Sequence, residues 1–333
     1  MKKSILITGN AGLLGSRMAD WILEHHPEYE VVGIDNLFGG YVENVDPRVV
    51  FYRRELSRDS IKDIFDKHEF EYVYHFAAYA AEGLSPFMRM FNDSNNMLST
   101  DNIINECINH DVKRLIYTSS MSVYGWGQFK GVPFDENDTP APIDPYAVSK
   151  YACEMNIRIA GEQHGLDWCI IRPHNVYGEK QNIWDKYRNV LGIWMYKILH
   201  NEPMLIYGDG EQTRAFSYID DCLQSFWNAA VFPEASKEII NVGGLYGYSI
   251  NDAAKILCNI TGYDKVEHKE ARHEVKHAVP NPLKSIRMLD YQQNTSLEEG
   301  LRKMWEWAQK QPDRPQYKWE NYEIKKGLYS FWK

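Results

Sequence analysis

No run of 18 apolar residues occurs in this chain of 333, so no membrane-spanning helix is expected. Positive charge is in short supply: 37 Lys and Arg against 46 Asp and Glu leave a formal net charge of −9. That balance argues against nucleic acid or an acidic membrane surface as a partner. Cysteine is scarce as well. The five cysteines (107, 153, 169, 222 and 258) are odd in number, widely spaced and without a Cys-x-x-Cys pair. They suggest neither a disulfide framework nor a zinc site, and no metal is expected. The N-terminus enters a strand-like run within three residues, which leaves no room for a signal peptide, so a cytoplasmic protein is expected. Internal repeats, low-complexity tracts and long linkers are also missing. The chain is nevertheless long enough for one large core or two domains.

Glycine is concentrated where a chain must turn. The apolar run 5–7 reads as a buried parallel strand, and Thr8-Gly9-Asn10-Ala11-Gly12-Leu13-Leu14-Gly15 turns it sharply into a helix. A dinucleotide's pyrophosphate fits on such a helix N-terminus, where free N–H groups and the dipole favour negative charge. A second strand, 29–34, ends at Asp35, 20 residues beyond Gly15. An acid there hydrogen-bonds the adenosine ribose hydroxyls and repels a 2′-phosphate. Residues 35–44 contain no Lys or Arg, so NAD is expected rather than NADP.

Further apolar runs at 72–76, 114–118 and 168–172 alternate with helical stretches at 94–109 and 145–161. The alternation predicts an α/β fold, a Rossmann-type doubly wound parallel sheet with ligands at the carboxyl ends of its strands. Past residue 178 it fades into a helix at 187–200, a short strand and the turn Gly208-Asp209-Gly210. The chain therefore divides into a dinucleotide-binding domain, 1–178, and a smaller C-terminal α/β lobe, 179–333. That lobe is expected mainly to bind substrate, with some segments returning to the first domain. Leu297, Leu301, Met304, Trp305 and Ala308 recur at helical spacing and read as packing against the body.

Tyr146 and Lys150 stand four apart on the expected helix, hence on one face. A free tyrosine has a pKa near 10, so acting as a base near neutrality takes a drop of about three units, roughly 4 kcal/mol. One positive charge at about 5 Å supplies roughly 3 kcal/mol at an effective dielectric of about 20, and the oxidised nicotinamide's charge could supply the rest. Pro145 suits the first turn of a helix. The strand 114–118 runs into Ser119-Ser120-Met121-Ser122, which places hydroxyls at a strand's carboxyl end. Ser120 is expected to hydrogen-bond the reacting substrate hydroxyl beside Tyr146, 26 residues further on. A serine-rich turn bonding its own backbone is the simpler alternative.

With these elements in register, the sequence resembles the extended short-chain dehydrogenase/reductase superfamily, in its nucleotide-sugar epimerase and dehydratase branch. The motifs that carry the resemblance follow in order: Thr8-Gly9-x-x-Gly12-x-x-Gly15, Asp35-Asn36-Leu37, His75-Phe76-Ala77-Ala78, Asn95-Asn96 with Thr100, Ser119-Ser120, Pro145-Tyr146 to Lys150, and Arg172-Pro173-His174-Asn175-Val176-Tyr177-Gly178. The resemblance implies that Gly9, Gly12, Leu13, Leu14, Gly15, Asp35, Asn36, Phe76, Ala77, Ala78, Tyr79, Asn96 and Pro173 bind or support NAD together with Tyr146 and Lys150. Glu55-Leu56 stands where the family usually has an Asp and an aliphatic residue near adenine. It further implies that Ser120, Ser122, Asn175, Asn189, Val190, Arg214 and Arg272 hold a nucleotide-sugar substrate; an arginine's planar fork suits a diphosphate. The stretch 274–277 fits the family pattern around Arg272 only with a short gap. Homodimers built on the helices 94–109 and 145–161 are implied too.

The resemblance also narrows the reaction. Dehydratases resembling glucose 4,6-dehydratase carry an Asp-Glu pair where this chain has Met121 and Ser122, and methionine cannot transfer protons. The glutamate of the UDP-xylose-forming decarboxylases and the cysteine of the 3,5-epimerases are missing as well. The minimal set Ser120, Tyr146 and Lys150 resembles that of the 4-epimerases of UDP-sugars, enzymes of the UDP-glucose 4-epimerase type. That implies a transient 4-keto sugar with no net redox change. A one-way NAD-dependent nucleotide-sugar dehydrogenase or reductase, a dehydratase, or a 2-epimerase of a deoxysugar nucleotide remain alternatives. A non-catalytic NAD-binding protein fits less well, since Tyr and Lys are both present.

Overall fold

The side chains of Ile5 and Ile7 point to one face of a strand and Leu6 to the other, and all three are fully buried. A strand buried on both sides belongs in the middle of a covered parallel sheet. In the computed structural model, which describes residues 3–126 and 131–332, it is β1 (Ser4–Thr8) of a seven-stranded sheet. The other strands are β2 (Glu30–Asp35), β3 (Val50–Arg53), β4 (Phe70–His75), β5 (Arg114–Thr118), β6 (Trp168–His174) and Glu238–Gly243. Their spatial order is Glu238–Gly243, β6, β5, β4, β1, β2, β3, all parallel. The winding reverses between β1 and β4, and ligands bind in the crevice that such a reversal opens.

Helices Leu13–His25 and Ile219–Val231 cover one face of the sheet around Ile5, Ile7, Tyr74 and Ile171. Helices Ser99–Asn109 and Pro145–His164 cover the other around Leu6, Val73, Leu115 and Ile170. Asp144 caps the second of these, accepting from Ala147 N at 2.9 Å, and Pro145 opens its first turn.

Several boundaries differ from the sequence expectation, by one to three residues at the strands Glu30–Asp35 and Phe70–His75 and the helix Pro145–His164, and at three further places for a visible reason. The helix expected at 94–109 begins as Arg89–Asp93 and widens into a π-type turn over Ser94–Leu98 before Ser99–Asn109. Asn95 Nδ2 and Thr100 Oγ1 donate back to the carbonyls of Phe91 and Asn96, at 2.9 and 2.6 Å, and such side-chain bonds loosen the backbone ladder. The helix expected at 187–200 starts at Val190, because Asp185 holds the Tyr187 N–H and Asn189 caps Leu191 N at 2.9 Å. β6 extends through Pro173 to His174. Pairing with β5 has already ended at Ile171, so the missing proline N–H leaves no ladder partner unsatisfied.

Beyond β6 the chain builds small sheets beside the carboxyl edge of the large one: Gly247–Ser249, Thr213–Ala215 and His277–Ala278 in that order, and Met204–Tyr207 with Val266–Lys269. The C-terminal segment then crosses the same edge. Its Trp319, Tyr322, Leu328, Tyr329 and Trp332 pack on Tyr79, Phe87 and Tyr187. Among the described residues no helix is long and apolar enough to cross a membrane.

Candidate active site

Gly9 adopts φ +70°, and a Cβ there would lie 2.8 Å from Ala77 N, so only glycine lets β1 turn against the end of β4. A Cβ on Gly15 would lie 2.3 Å from Gly9 O. The helix Leu13–His25 starts at Gly12 with no side-chain cap, which leaves its first N–H groups free for an anion. Asp35 stands at the end of β2, its carboxylate accepting from Ala11 N at 3.0 Å and Leu37 N at 2.7 Å. Burial raises its pKa while those backbone bonds oppose the rise. Gly9, Gly12, Leu13, Leu14, Gly15, Asp35, Asn36, Glu55, Leu56, Phe76, Ala77, Ala78, Tyr79 and Pro173 all line one cleft. Thr118 Oγ1, Asn175 Nδ2 and both polar atoms of Gln181 lie in its walls without a hydrogen-bond partner among the described residues. The glycine cradle and the uncapped helix end fit a dinucleotide.

Asn96 stands behind this wall rather than in it. It accepts from Tyr79 N at 3.0 Å and donates to Asn92 at 2.9 Å and Ser149 at 3.3 Å, so it fixes the segment after β4 to the helix that carries Tyr146. His75 does the same for β1: Thr8 Oγ1 lies 2.7 Å from its Nδ1 and Thr100 Oγ1 lies 3.0 Å from its Nε2. Thr8 Oγ1 also accepts from Ala77 N and Thr100 Oγ1 donates to Asn96 O, so a neutral ring protonated on Nε2 satisfies the whole chain. Burial lowers the His75 pKa to about 3, consistent with that neutral form.

Tyr146 and Lys150 share a face of their helix, nearly enclosed, at the carboxyl end of β5. Lys150 Nζ donates to Thr118 O at 2.7 Å and lies 6.0 Å from the Tyr146 ring centre. Burial pulls the ammonium down to about 8. The Tyr146 phenol is pushed up by burial first and by Glu82 second, while the Ser120 hydroxyl and Arg188 draw it down. Ser120 lines the cleft. Ser122 does not; it is buried with its Oγ donating to Ser120 Oγ at 2.9 Å, so it orients that hydroxyl. Behind them Glu154 holds Ser119 and, through both oxygens at 2.9 and 2.6 Å, the guanidinium of Arg172.

Asn175, Asn189, Val190, Arg214 and Arg272 line the other end of the cleft. Glu274 spans the two arginines, at 3.1 Å from Arg214 and 3.6 Å from Arg272, and the Arg272 guanidinium lies over the Tyr207 ring at 4.2 Å. His174 is fully buried and lies outside the cleft wall, where burial pulls it down to about 3. The sequence reading missed Glu82, Asp144, Glu274, Arg188, Gln181 and Tyr187, all in the cleft wall. Arg188 packs so tightly on Gly39 that a Cβ there would lie 2.0 Å from its Nη2. It thus brings a positive charge to the stretch after Asp35 that carries none of its own. Glu82, Gln181 and Glu274 are brought to the cleft by contacts distant in sequence, while Asp144, Tyr187 and Arg188 make local bonds whose patterns do not announce a ligand.

A doubly wound sheet with a dinucleotide cradle at its switch point, facing a buried Tyr-Lys pair and a strand-end serine, defines an NAD-linked α/β enzyme. Comparison with known proteins narrows the class: residues 5–243 match the NAD dependent epimerase/dehydratase family, and the chain belongs to it. The UDP-glucose 4-epimerase of Thermotoga maritima, solved with UDP-glucose, shares 32% identity over 92% of this chain and 99% of its own, with a TM-score of 0.87. The UDP-glucuronic acid 4-epimerase of Bacillus cereus, solved with UDP-glucuronic acid and NAD, shares 27% over 92% and 99%, with a TM-score of 0.84. A putative UDP-glucose 4-epimerase of Methanocaldococcus jannaschii is 29% identical over 91% of this chain and 97% of its own. Mammalian dTDP-D-glucose 4,6-dehydratases are also among the relatives.

Proposed function

We propose that this chain is an NAD-dependent 4-epimerase of a UDP-sugar. The observation that carries the reading is the meeting of Tyr146, Lys150 and Ser120 at the switch-point cleft, with Met121 and Ser122 where a dehydratase needs a proton-transferring pair. Tyr146 takes the proton of the sugar's C4 hydroxyl and later returns it. Ser120, oriented by Ser122, holds that hydroxyl in line. Lys150 supplies the fixed positive charge that stabilises the tyrosinate, and Asn96 and His75 keep the surrounding wall rigid. NAD held on the glycine cradle would supply a reversible hydride acceptor for C4, so the 4-keto sugar would be transient and no reductant would be consumed. Arg214 and Arg272 take the diphosphate, with Asn175 and Asn189 holding the phosphates and sugar beside them and Val190 lining the same end of the cleft.

Incubating the purified protein with UDP-glucose and following the sugar by NMR tests this directly. The expected product is the galacto epimer alone, with no net NADH. A 4-keto-6-deoxy product would replace the reading by a dehydratase, and stoichiometric NADH by a dehydrogenase.

The reading extends to a cytoplasmic homodimer. Leu98, Val148, Met155 and Ile159 are between 42% and 54% exposed along two packed helices, a row of apolar side chains suited to a self-complementary contact. The five cysteines are all free, in keeping with a reducing compartment. Met155→Glu combined with Ile159→Glu is expected to turn a dimer into a monomer with an unchanged circular dichroism spectrum; light scattering checks the mass. A wild-type protein already monomeric at micromolar concentration would refute the dimer.

A further inference from the structure

Glu82 ends the segment that follows β4, and its backbone is locked to the helix carrying Tyr146. Ser85 Oγ donates to the Glu82 carbonyl at 2.8 Å and accepts from Tyr146 N at 3.1 Å. The next residue, Gly83, is pinned between the C-terminal Trp332 and Arg272: a Cβ there would lie 3.4 Å from the indole and 3.6 Å from Arg272 Nη1. Glu82 is therefore held between the tyrosine base and the arginine pair. Its carboxylate makes no hydrogen bond or ion pair with any described residue and opens onto the cleft. The charges that act on it are those of Asp144 and Glu274, of like sign, and of Arg214 and Arg272, of opposite sign.

A nucleotide sugar whose C4 lies at Tyr146 and whose diphosphate lies at the arginines must lay its sugar ring across Glu82. We infer that Glu82 is a specificity-determining residue: it favours sugars whose hydroxyls donate to its carboxylate and turns away sugars that carry a carboxylate of their own. This rests on the UDP-sugar 4-epimerase reading and narrows it to uncharged hexoses. A carboxylate offers only acceptors, which match sugar hydroxyls, whereas a hexuronate brings a like charge into a site that already holds Glu82, Asp144 and Glu274. The fold does not impose the choice, since the two solved neighbours act on a neutral and an acidic UDP-hexose respectively. Desolvation in the cleft and the nearby Asp144 raise the Glu82 carboxyl above the ordinary glutamate range, so discrimination grows as the pH rises and it ionises.

The test titrates the NAD-loaded protein with UDP-glucose and with UDP-glucuronic acid by calorimetry, on the alkaline side of neutrality, for wild type, Glu82→Gln and Glu82→Asp. Wild type is expected to prefer UDP-glucose by about tenfold or more. Glu82→Gln should shrink that preference by about tenfold, mainly by binding the uronate better, at unchanged NAD affinity and melting temperature. Glu82→Asp keeps the charge and should keep the preference, whatever it costs in absolute affinity. Equal binding of both sugars by wild type, or a preference in Glu82→Gln within about twofold of wild type, overturns the inference while leaving the 4-epimerase reading intact. A wild-type protein that binds neither UDP-sugar removes that reading and the inference with it.

Discussion

Tyr146→Phe is expected to lower kcat by about two to four orders of magnitude, the range that general acid–base groups supply, while the protein still binds NAD with near-normal affinity. The substitution deletes one oxygen from a ring that is only 5% exposed, so packing is preserved and the loss reports the proton transfer alone. The electrostatics explain why the effect should be large. Burial and the neighbouring Glu82 push the phenol above its ordinary pKa, and Lys150 Nζ stands 6.0 Å from the ring centre without a direct hydrogen bond to the hydroxyl. Every contribution that lowers the phenol is therefore needed, and a phenylalanine can neither hold nor release a proton. Single-turnover measurements with UDP-glucose, alongside fluorescence titration of NAD, separate chemistry from binding. A variant retaining more than about a tenth of the wild-type rate would show that another group is the base.

The second large effect is on stability. Glu154→Gln should cost about 3–5 kcal/mol of folding free energy, because it leaves the guanidinium of Arg172 buried without its counter-charge. Arg172 and Glu154 are 2% and 1% exposed at their side chains and meet through two bonds, at 2.9 and 2.6 Å. The same carboxylate receives the Ser119 hydroxyl, so the strand end that presents Ser120 should loosen and activity should fall with stability. Urea unfolding gives the measurement. A midpoint change equivalent to less than about 1 kcal/mol would mean that the amide replaces the pair, and that the charge is not what holds β6 to the helix. Replacing Arg172 by Met in the Glu154→Gln background should recover part of the loss, since the uncompensated charge is then gone.

Much of the site is legible in the amino-acid sequence, and for one physical reason. The strand Ile5–Ile7, the turn through Gly9, Gly12 and Gly15, and the Tyr146–Lys150 pair depend on neighbours within a dozen residues, where backbone geometry translates spacing directly into position. β5 appears over the very residues its apolar run marks, Arg114–Thr118. The shifts in boundary at two of the helices came from side chains that compete for backbone groups: Asn95 in the π-type turn with Ser99 and Thr100 just after it, and Asp185 and Asn189 ahead of the helix at Val190. Asn96 and Ser122, which the motif order places beside the ligands, stand one layer back and position others. Motif order does not distinguish a residue that touches a ligand from one that holds its neighbour.

By itself the sequence determined the parallel sheet, the glycine cradle and the pairing of Tyr146 with Lys150 on one helix face, because each is set by local spacing and hydrophobic period. Only the tertiary structure decided what surrounds that pair. The loop after β4 swings Glu82 into the cleft, Arg188 reaches back to Gly39, Glu274 bridges two arginines, and the C-terminal Trp332 closes over Gly83. These contacts join residues up to about two hundred and fifty positions apart, so their geometry follows from how whole elements dock, and no pattern within a single element could encode it.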